Sequence, residues 1–166
     1  MPPDPTPESN FIPRPATPDD AETLADQRVR MYVDADLAAE TDLAPMRSNF
    51  AVWVRAKLAE HSYAGWLVED KGKPVAGAGL WVMEWPPHFL HAEPRRAYLL
   101  NFYVAPHMRH RGLASQLLAL AVSEAQARGI KLVTLHASKF GRPIYERSGF
   151  VTSPEMMLDL NDHHTV

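Results

Sequence analysis

The chain of 166 residues contains no cysteine. That absence excludes disulfide staples, a cysteine-based zinc site and a cysteine nucleophile, and it fits a reducing cytoplasmic compartment. No apolar run approaches the roughly 20 residues that a membrane helix needs, so no membrane partner is expected. A basic excess is missing too. The formal net charge is −3 with the eight histidines neutral, which leaves no overall field to gather nucleic acid. Met1 to Asn10 lack the basic start and apolar stretch of a signal peptide.

What is present is globular. Hydrophobic residues make up 46% and charged ones 22%, enough for one domain with a sizeable core. Seven of the fifteen prolines fall in the first eighteen residues. Residues 1–10 are therefore expected to form a flexible leader, 11–160 a single domain and 161–166 a tail. Phe11 to Pro15 reads as a short edge strand, where proline is tolerated. Thr17-Pro18-Asp19-Asp20 is a helix start, with Thr17 as N-cap and Pro18 at the first position. That helix should reach about Asp34 with Leu24, Arg28 and Met31 on one face. A second helical pattern after Asp42 carries Phe50, Trp53, Val54, Lys57 and Leu58.

From Tyr63 the period changes to that of strands. Tyr63 to Glu69 and Val75 to Glu84 flank a hairpin turn at Asp70-Lys71-Gly72-Lys73. Gly77 and Gly79 mark a bulge or a close backbone approach. A loop from Trp85 to Pro94 precedes a buried strand, Ala97 to Val104. A helix from Gly112 to about Arg128 follows, with Gly129 at its C-terminal cap. Ile130 to Ala137 reads as a buried strand, Gly141 to Ser148 as a short helix, and Phe150–Val151 and Glu155–Leu160 as closing strands. The order predicts an α/β (α+β) fold, a mixed sheet with helices on both faces.

The junction of the Ala97–Val104 strand with the following helix carries the chemistry. Its turn reads Pro106-His107-Met108-Arg109-His110-Arg111-Gly112. The first amides of a helix lack internal partners and sit at its positive end, so strand, basic turn and helix form an anion cradle. Glycine lets a bulky phosphate approach the backbone. A nucleotide P-loop would need a second glycine and a lysine, and a dinucleotide fingerprint three glycines. Neither pattern is met.

The pattern that is met is Arg-x-x-Gly-x-Ala at Arg109, Gly112 and Ala114, after Val104-Ala105-Pro106. It resembles the coenzyme A motif of the GNAT superfamily of acyl-CoA N-acyltransferases. His136 to Phe150, with Ser138, Gly141, Tyr145 and Gly149-Phe150, is similar to that family's later motif. The Arg14-Pro15-Ala16-Thr17-Pro18-Asp19-Asp20 opening is similar as well. The resemblance covers about residues 11–160 and implies a mixed, mostly antiparallel sheet.

The resemblance implies an acetyl group passed from acetyl-CoA directly to a primary amine of a small molecule or peptide. Backbone amides of Arg109, His110, Arg111, Gly112, Leu113, Ala114 and Ser115 would hold the pyrophosphate. Phe102, Tyr103 and Val104 would pair with the pantetheine arm like an added strand, where two central strands splay. The N–H of Val104 or Phe102 would meet the thioester oxygen. Ser138 stands where an asparagine often contacts the cofactor arm. Tyr145 matches the tyrosine that protonates the leaving thiolate.

The glutamate that relatives use as base would fall near Tyr98, and this strand has no acid. Glu84 is the first alternative and His136 the second, with Asn101 in the central strand placed to orient substrate or water. The acceptor site would be built from the two early helices and the Trp85–Pro94 loop. Tyr32, Trp53, Trp81, Trp85 and Phe89 would line it, with Asp34, Asp36, Glu40 and Asp42 to attract a cationic amine. The His88/His91 and His107/His110 pairs lack carboxylates at ligand spacing, so no metal is expected. Homodimers are common in the family. A module that senses acyl-CoA without turnover is the competing reading, favoured by the missing strand glutamate.

Overall fold

Arg14 and Pro15 open the fold as β1 (Arg14–Pro15), which pairs antiparallel with β2 (Tyr63–Asp70) at the edge of a sheet. These features come from a computed structural model, which describes residues 11–160. The expected leader and tail lie outside the described residues. Pro18–Asp20 forms a single 3-10 turn. The Asp20 carboxylate turns back to accept the Thr17 N–H at 2.7 Å, closing the reciprocal start of α1 (Ala21–Asp34). α2 (Ala44–Ala59) follows. Leu24, Ala25, Phe50, Ala51, Val54 and Leu58 bury the facing stripes of the two helices in one core with Tyr63 and Leu67.

β2 hairpins into β3 (Lys73–Glu84), and β3 pairs antiparallel with β4 (Arg95–Val104). The strand period sorts the two faces. Tyr63, Leu67, Gly77, Gly79 and Trp81 point toward α1 and α2, while Trp66, Val68, Ala76, Ala78 and Leu80 point away. The second face is covered by α3 (Leu113–Ala127), through buried Leu113, Leu117, Leu118 and Ala121. α3 ends as expected. Gly129 takes a left-handed φ of 72°, and the Ile130 amide reaches back to the Ala125 carbonyl.

β5 (Val133–Leu135) pairs parallel with β4 and completes a five-stranded sheet of order β1-β2-β3-β4-β5. The strand expected over Ile130–Ala137 is thus only three half-buried residues. Its pairing with β4 runs from Ala97 to Leu99, and the register of β4 against β3 breaks just beyond, after Leu100.

The described residues fall into two compact units, one ending at His136 and one beginning at Ala137. In the second, α4 (Arg142–Arg147) is a helix of six residues. The closing strands expected at Phe150–Val151 and Glu155–Leu160 do not form. An apolar β-prone stretch becomes a strand only against a partner's donors and acceptors. Here Pro154 removes a donor, and Val151, Met156, Met157, Leu158 and Leu160 stay exposed.

Candidate active site

Two residue steps along β3, from Gly77 to Gly79, face three along β4, from Leu100 to Tyr103. The extra residue is a β-bulge, and Asn101 carries it with a left-handed φ of 60°. Asparagine tolerates that conformation better than most side chains. Asn101 is buried, and its Nδ2 donates to the Leu24 carbonyl of α1 at 2.9 Å. The bulge is thereby tied to the helix packed over it.

Pairing with β5 ends at Leu99, two residues before the bulge. Beyond the bulge Tyr103 and Val104 pair with β3, and the ladder extends through the Ala105 N–H to the Val75 carbonyl at 2.8 Å. A row of backbone donors and acceptors on Tyr103 and Val104 therefore runs from the bulge toward α3.

That row leads into the basic turn. Buried Met108 and Leu113 pin the turn from below. His110 (φ 62°) and Gly112 (φ 79°) both take left-handed conformations, bringing successive N–H groups into a concave nest. The first amide bonded back inside α3 is that of Gln116, to the Gly112 carbonyl, which leaves the Leu113, Ala114 and Ser115 amides at the helix mouth. A Cβ at Gly112 would meet nothing within 4 Å. This glycine is required by its φ, and the space before it is open to an anion.

The side chains of the turn divide. Arg109 donates to the Val104 carbonyl at 3.0 Å and pairs with Asp34 at 2.6 Å. It fastens the turn to the end of α1, rather than standing free as a phosphate donor. His110 and Arg111 are exposed and enter no ion pair among the described residues. Beside them Tyr103 is partly buried. Burial raises its hydroxyl above the usual tyrosine range, and Asp34 adds to the rise.

Glu84, the first candidate base, does not sit at the bulge. Glu84 lies opposite Arg95 and lines a cavity of about 320 Å³ with Trp85, Pro86, Pro87 and Pro94. Arg95 and Asn101 are six residue steps apart on β4, roughly 20 Å along the strand. His136 follows β5 and its Nδ1 shares a short hydrogen bond with the Tyr98 hydroxyl. In the second unit, the Ser138 Oγ accepts the Gly141 N–H at 3.1 Å, at the start of α4, and Tyr145 packs edge-on to Phe150 at 5.9 Å.

On the α1–α2 side, Trp53 touches Phe50, Tyr63 and Trp81, with ring centres 5.1–6.1 Å apart. Gly77 and Gly79 are both a bulge and a close approach. A Cβ on Gly79 would run into the Tyr63 hydroxyl, and one on Gly77 into the Gln27 amide. Sequence reading passed over Gln27 and Tyr63. Their only signal was the glycine pair opposite them, which announces close neighbours without naming them. His88 and His91 join through their own backbones in the loop. Among the described residues no cluster of three or more His, Asp or Glu could hold a metal.

A bulged central strand and an anion nest on a mixed sheet fit one class of protein, an acyltransferase fold. Residues 24–150 match the family described as Acetyltransferase (GNAT) family, and the chain belongs to that family of acyltransferases. An uncharacterized N-acetyltransferase of Bacillus subtilis (strain 168) is 29% identical over 102 residues, 59% of this chain. The match spans 65% of that relative, less than two thirds of its length. A GCN5-related N-acetyltransferase from Ralstonia eutropha JMP134 superimposes with a TM-score of 0.86 at 38% identity, over 92% of this chain and 100% of that one. A predicted acetyltransferase from Clostridium acetobutylicum, whose crystal structure is with acetyl-CoA, gives 0.84 at 29% identity, over 93% and 99%.

Proposed function

We propose that the protein transfers an acetyl group from acetyl-CoA to a primary amine of a small molecule or peptide, in the cytoplasm. The observation that carries this reading is the stretch of β4 that starts at the Asn101 bulge, past the end of its pairing with β5 at Leu99, and ends in the nest before α3. Its row of amides and carbonyls suits the two amide groups of a pantetheine arm. The amides of His110 to Ser115, with the Arg111 and His110 side chains, suit the pyrophosphate. The acetyl-CoA in the Clostridium acetobutylicum relative supports the same donor here.

Acetyl-CoA supplies an activated acetyl thioester. This chain's own part is to hold the donor by backbone and to offer an N–H at the bulge, that of Phe102 or Val104, to the thioester oxygen. Tyr145, assigned by its motif, protonates the departing sulfur. The amine nitrogen forms the new bond to the acetyl carbon and loses its proton. Glu84 is too far along the sheet for that proton. The Tyr98–His136 pair sits three residues before the bulge and is the better acceptor.

The test is a thiol-release assay with acetyl-CoA and an amine panel, with Tyr145→Phe beside it. Turnover that falls roughly 100-fold while CoA affinity holds supports the acid role. The sensor reading has one observation behind it, the lack of any carboxylate in Arg95–Val104. Tight CoA binding with no transfer to any amine would establish it.

A further inference from the structure

Two of the four acids expected to draw in a cationic amine are neutralised within the fold. Asp34 pairs with Arg109 at 2.6 Å and Glu40 with Arg30 at 3.1 Å. The charge left over on the inner side of α1 has the opposite sign. Arg28 is half-buried and enters no ion pair among the described residues. Its guanidinium lies 4.8 Å from the Phe50 ring centre and 5.3 Å from that of Tyr32. It donates to the Tyr32 hydroxyl at 3.1 Å. A guanidinium offers five N–H groups in a planar fork, so most of this one remains for an acceptor.

A second, independent observation lies around it. The Tyr63 hydroxyl and both polar atoms of the Gln27 amide are buried without a hydrogen-bond partner, in residues 2% and 4% exposed. The Asn101 Oδ1 is likewise unpartnered. Buried polar atoms without a hydrogen-bond partner are uncommon in native folds and point to a ligand or water that completes them. Gly77 and Gly79 make the room that the Gln27 amide and Tyr63 hydroxyl occupy. The Arg28 charge acts on the Tyr63 hydroxyl through space. Arg28 is also one helical turn, about 6 Å along α1, from Leu24, whose carbonyl anchors the bulge residue Asn101.

We infer that Arg28 is the specificity-determining anchor of the acceptor site and binds a carboxylate, so the acceptor is a small amine that also carries a carboxylate. The Phe50–Trp53–Trp81 surface flanks the anchor and suits the carbon skeleton between the two groups. A carboxylate matches the guanidinium fork through two parallel charge-assisted bonds, which a neutral amine cannot form. This rests on the acetyltransferase reading for the direction of the amine, toward the bulge. Carboxylate binding itself can be measured without turnover.

The experiment uses the full chain with matched probes: phenylalanine against its amide and phenethylamine, and 4-aminobutyrate against butylamine. Acetyl transfer is followed by thiol release, and binding to the CoA-loaded protein by calorimetry. The carboxylated member of a pair should exceed its neutral partner by about 10- to 100-fold in kcat/KM, carried mainly by KM. Arg28→Ala should collapse that ratio toward one and Arg28→Lys should restore part of it, with CoA affinity unchanged in both as the control for folding. Equal use of both members by the native protein overturns the anchor, and so does a parallel loss in Arg28→Ala. If CoA binds but no probe is acetylated, the transfer reading fails, and calorimetry decides the anchor separately. Carboxylate binding that Arg28→Ala abolishes supports it; absence of such binding overturns it.

Discussion

The turn after β4 and the inner face of α1 and α2 lie a few residues apart along the same central strand, and on the proposed reading they recognise ligands by different means. The turn works with backbone: two left-handed residues, the open mouth of α3, and one glycine whose missing Cβ faces empty space. The helical face works with side chains: Arg28, Gln27, Tyr63 and an aromatic cluster, assembled from two helices and two strands. A backbone site constrains few residue identities, all close in sequence. A side-chain site constrains many, scattered along the chain, and is free to change its chemistry while the fold stays.

Two glycine substitutions separate these modes, and the first should have the largest effect of those proposed. Gly112→Glu puts a side chain and a negative charge at the mouth of the nest. CoA affinity should fall at least 100-fold, because like charge at close range adds to the loss of backbone approach. The fold should survive with about 1–2 kcal/mol lost to the left-handed φ, since a Cβ there meets nothing. Calorimetry with CoA and a thermal melt check both halves, and unchanged CoA affinity would remove the nest as the phosphate site. Gly79→Ala should do the reverse. Its Cβ meets the Tyr63 hydroxyl, so stability should drop by about 1–3 kcal/mol, while CoA affinity of the protein that remains folded stays the same.

Tyr63→Phe is a smaller change with two opposed outcomes. Burial holds this hydroxyl well above the usual tyrosine range, and it has no partner. Removing it should raise stability by about 1 kcal/mol, read as a higher urea midpoint. If the hydroxyl helps hold the acceptor, affinity for a carboxylated amine should fall a few-fold in the same variant. A loss of stability instead would mean that an ordered water already completes the hydroxyl.

This contrast also explains what the sequence disclosed. Arg109, Gly112 and Ala114 stand within six residues, so their motif was legible, as were the elements on either side. The capping of α1 by Thr17 and Asp20 and of α3 by Gly129 was legible for the same reason. Arg28 was seen only as one member of a helical stripe, because its meaning depends on Phe50 and Tyr63, far along the chain. The acidic run at Asp34–Asp42 was visible, but Arg109 and Arg30 as its partners were not. Arg109 itself was expected to face a phosphate, and only the tertiary fold shows it tied to Asp34 and the Val104 carbonyl. The bulge at Asn101 left its trace on the opposite strand, in Gly77 and Gly79. Nothing local reported that β5 would be three residues long, or that the stretch after Ser153-Pro154 would form no strand.

The side-chain region should also respond to acid where backbone amides do not. Arg14 bridges Asp20 and Glu69, each at 2.8 Å, and so fixes the start of α1 against β2. The Arg14 guanidinium holds the Asp20 carboxyl below the usual carboxylate range, with help from the Thr17 N–H and against the opposing effect of burial. A carboxyl depressed in the folded state adds stability that is complete above its unfolded value, about 3.9. That stability is lost as pH falls through the lower folded value. The pair is partly exposed, so its contribution is below about 1 kcal/mol. Arg14→Gln should therefore be less stable than the native chain at pH 7 by up to that amount, in urea melts followed by Trp53 and Trp81 fluorescence. The two curves should converge between about pH 4 and pH 2, as Asp20 takes up its proton and the native chain loses the same contact. A gap that persists undiminished to pH 2 would show that Arg14 acts through packing of its aliphatic stem, and that charge plays no part in seating α1.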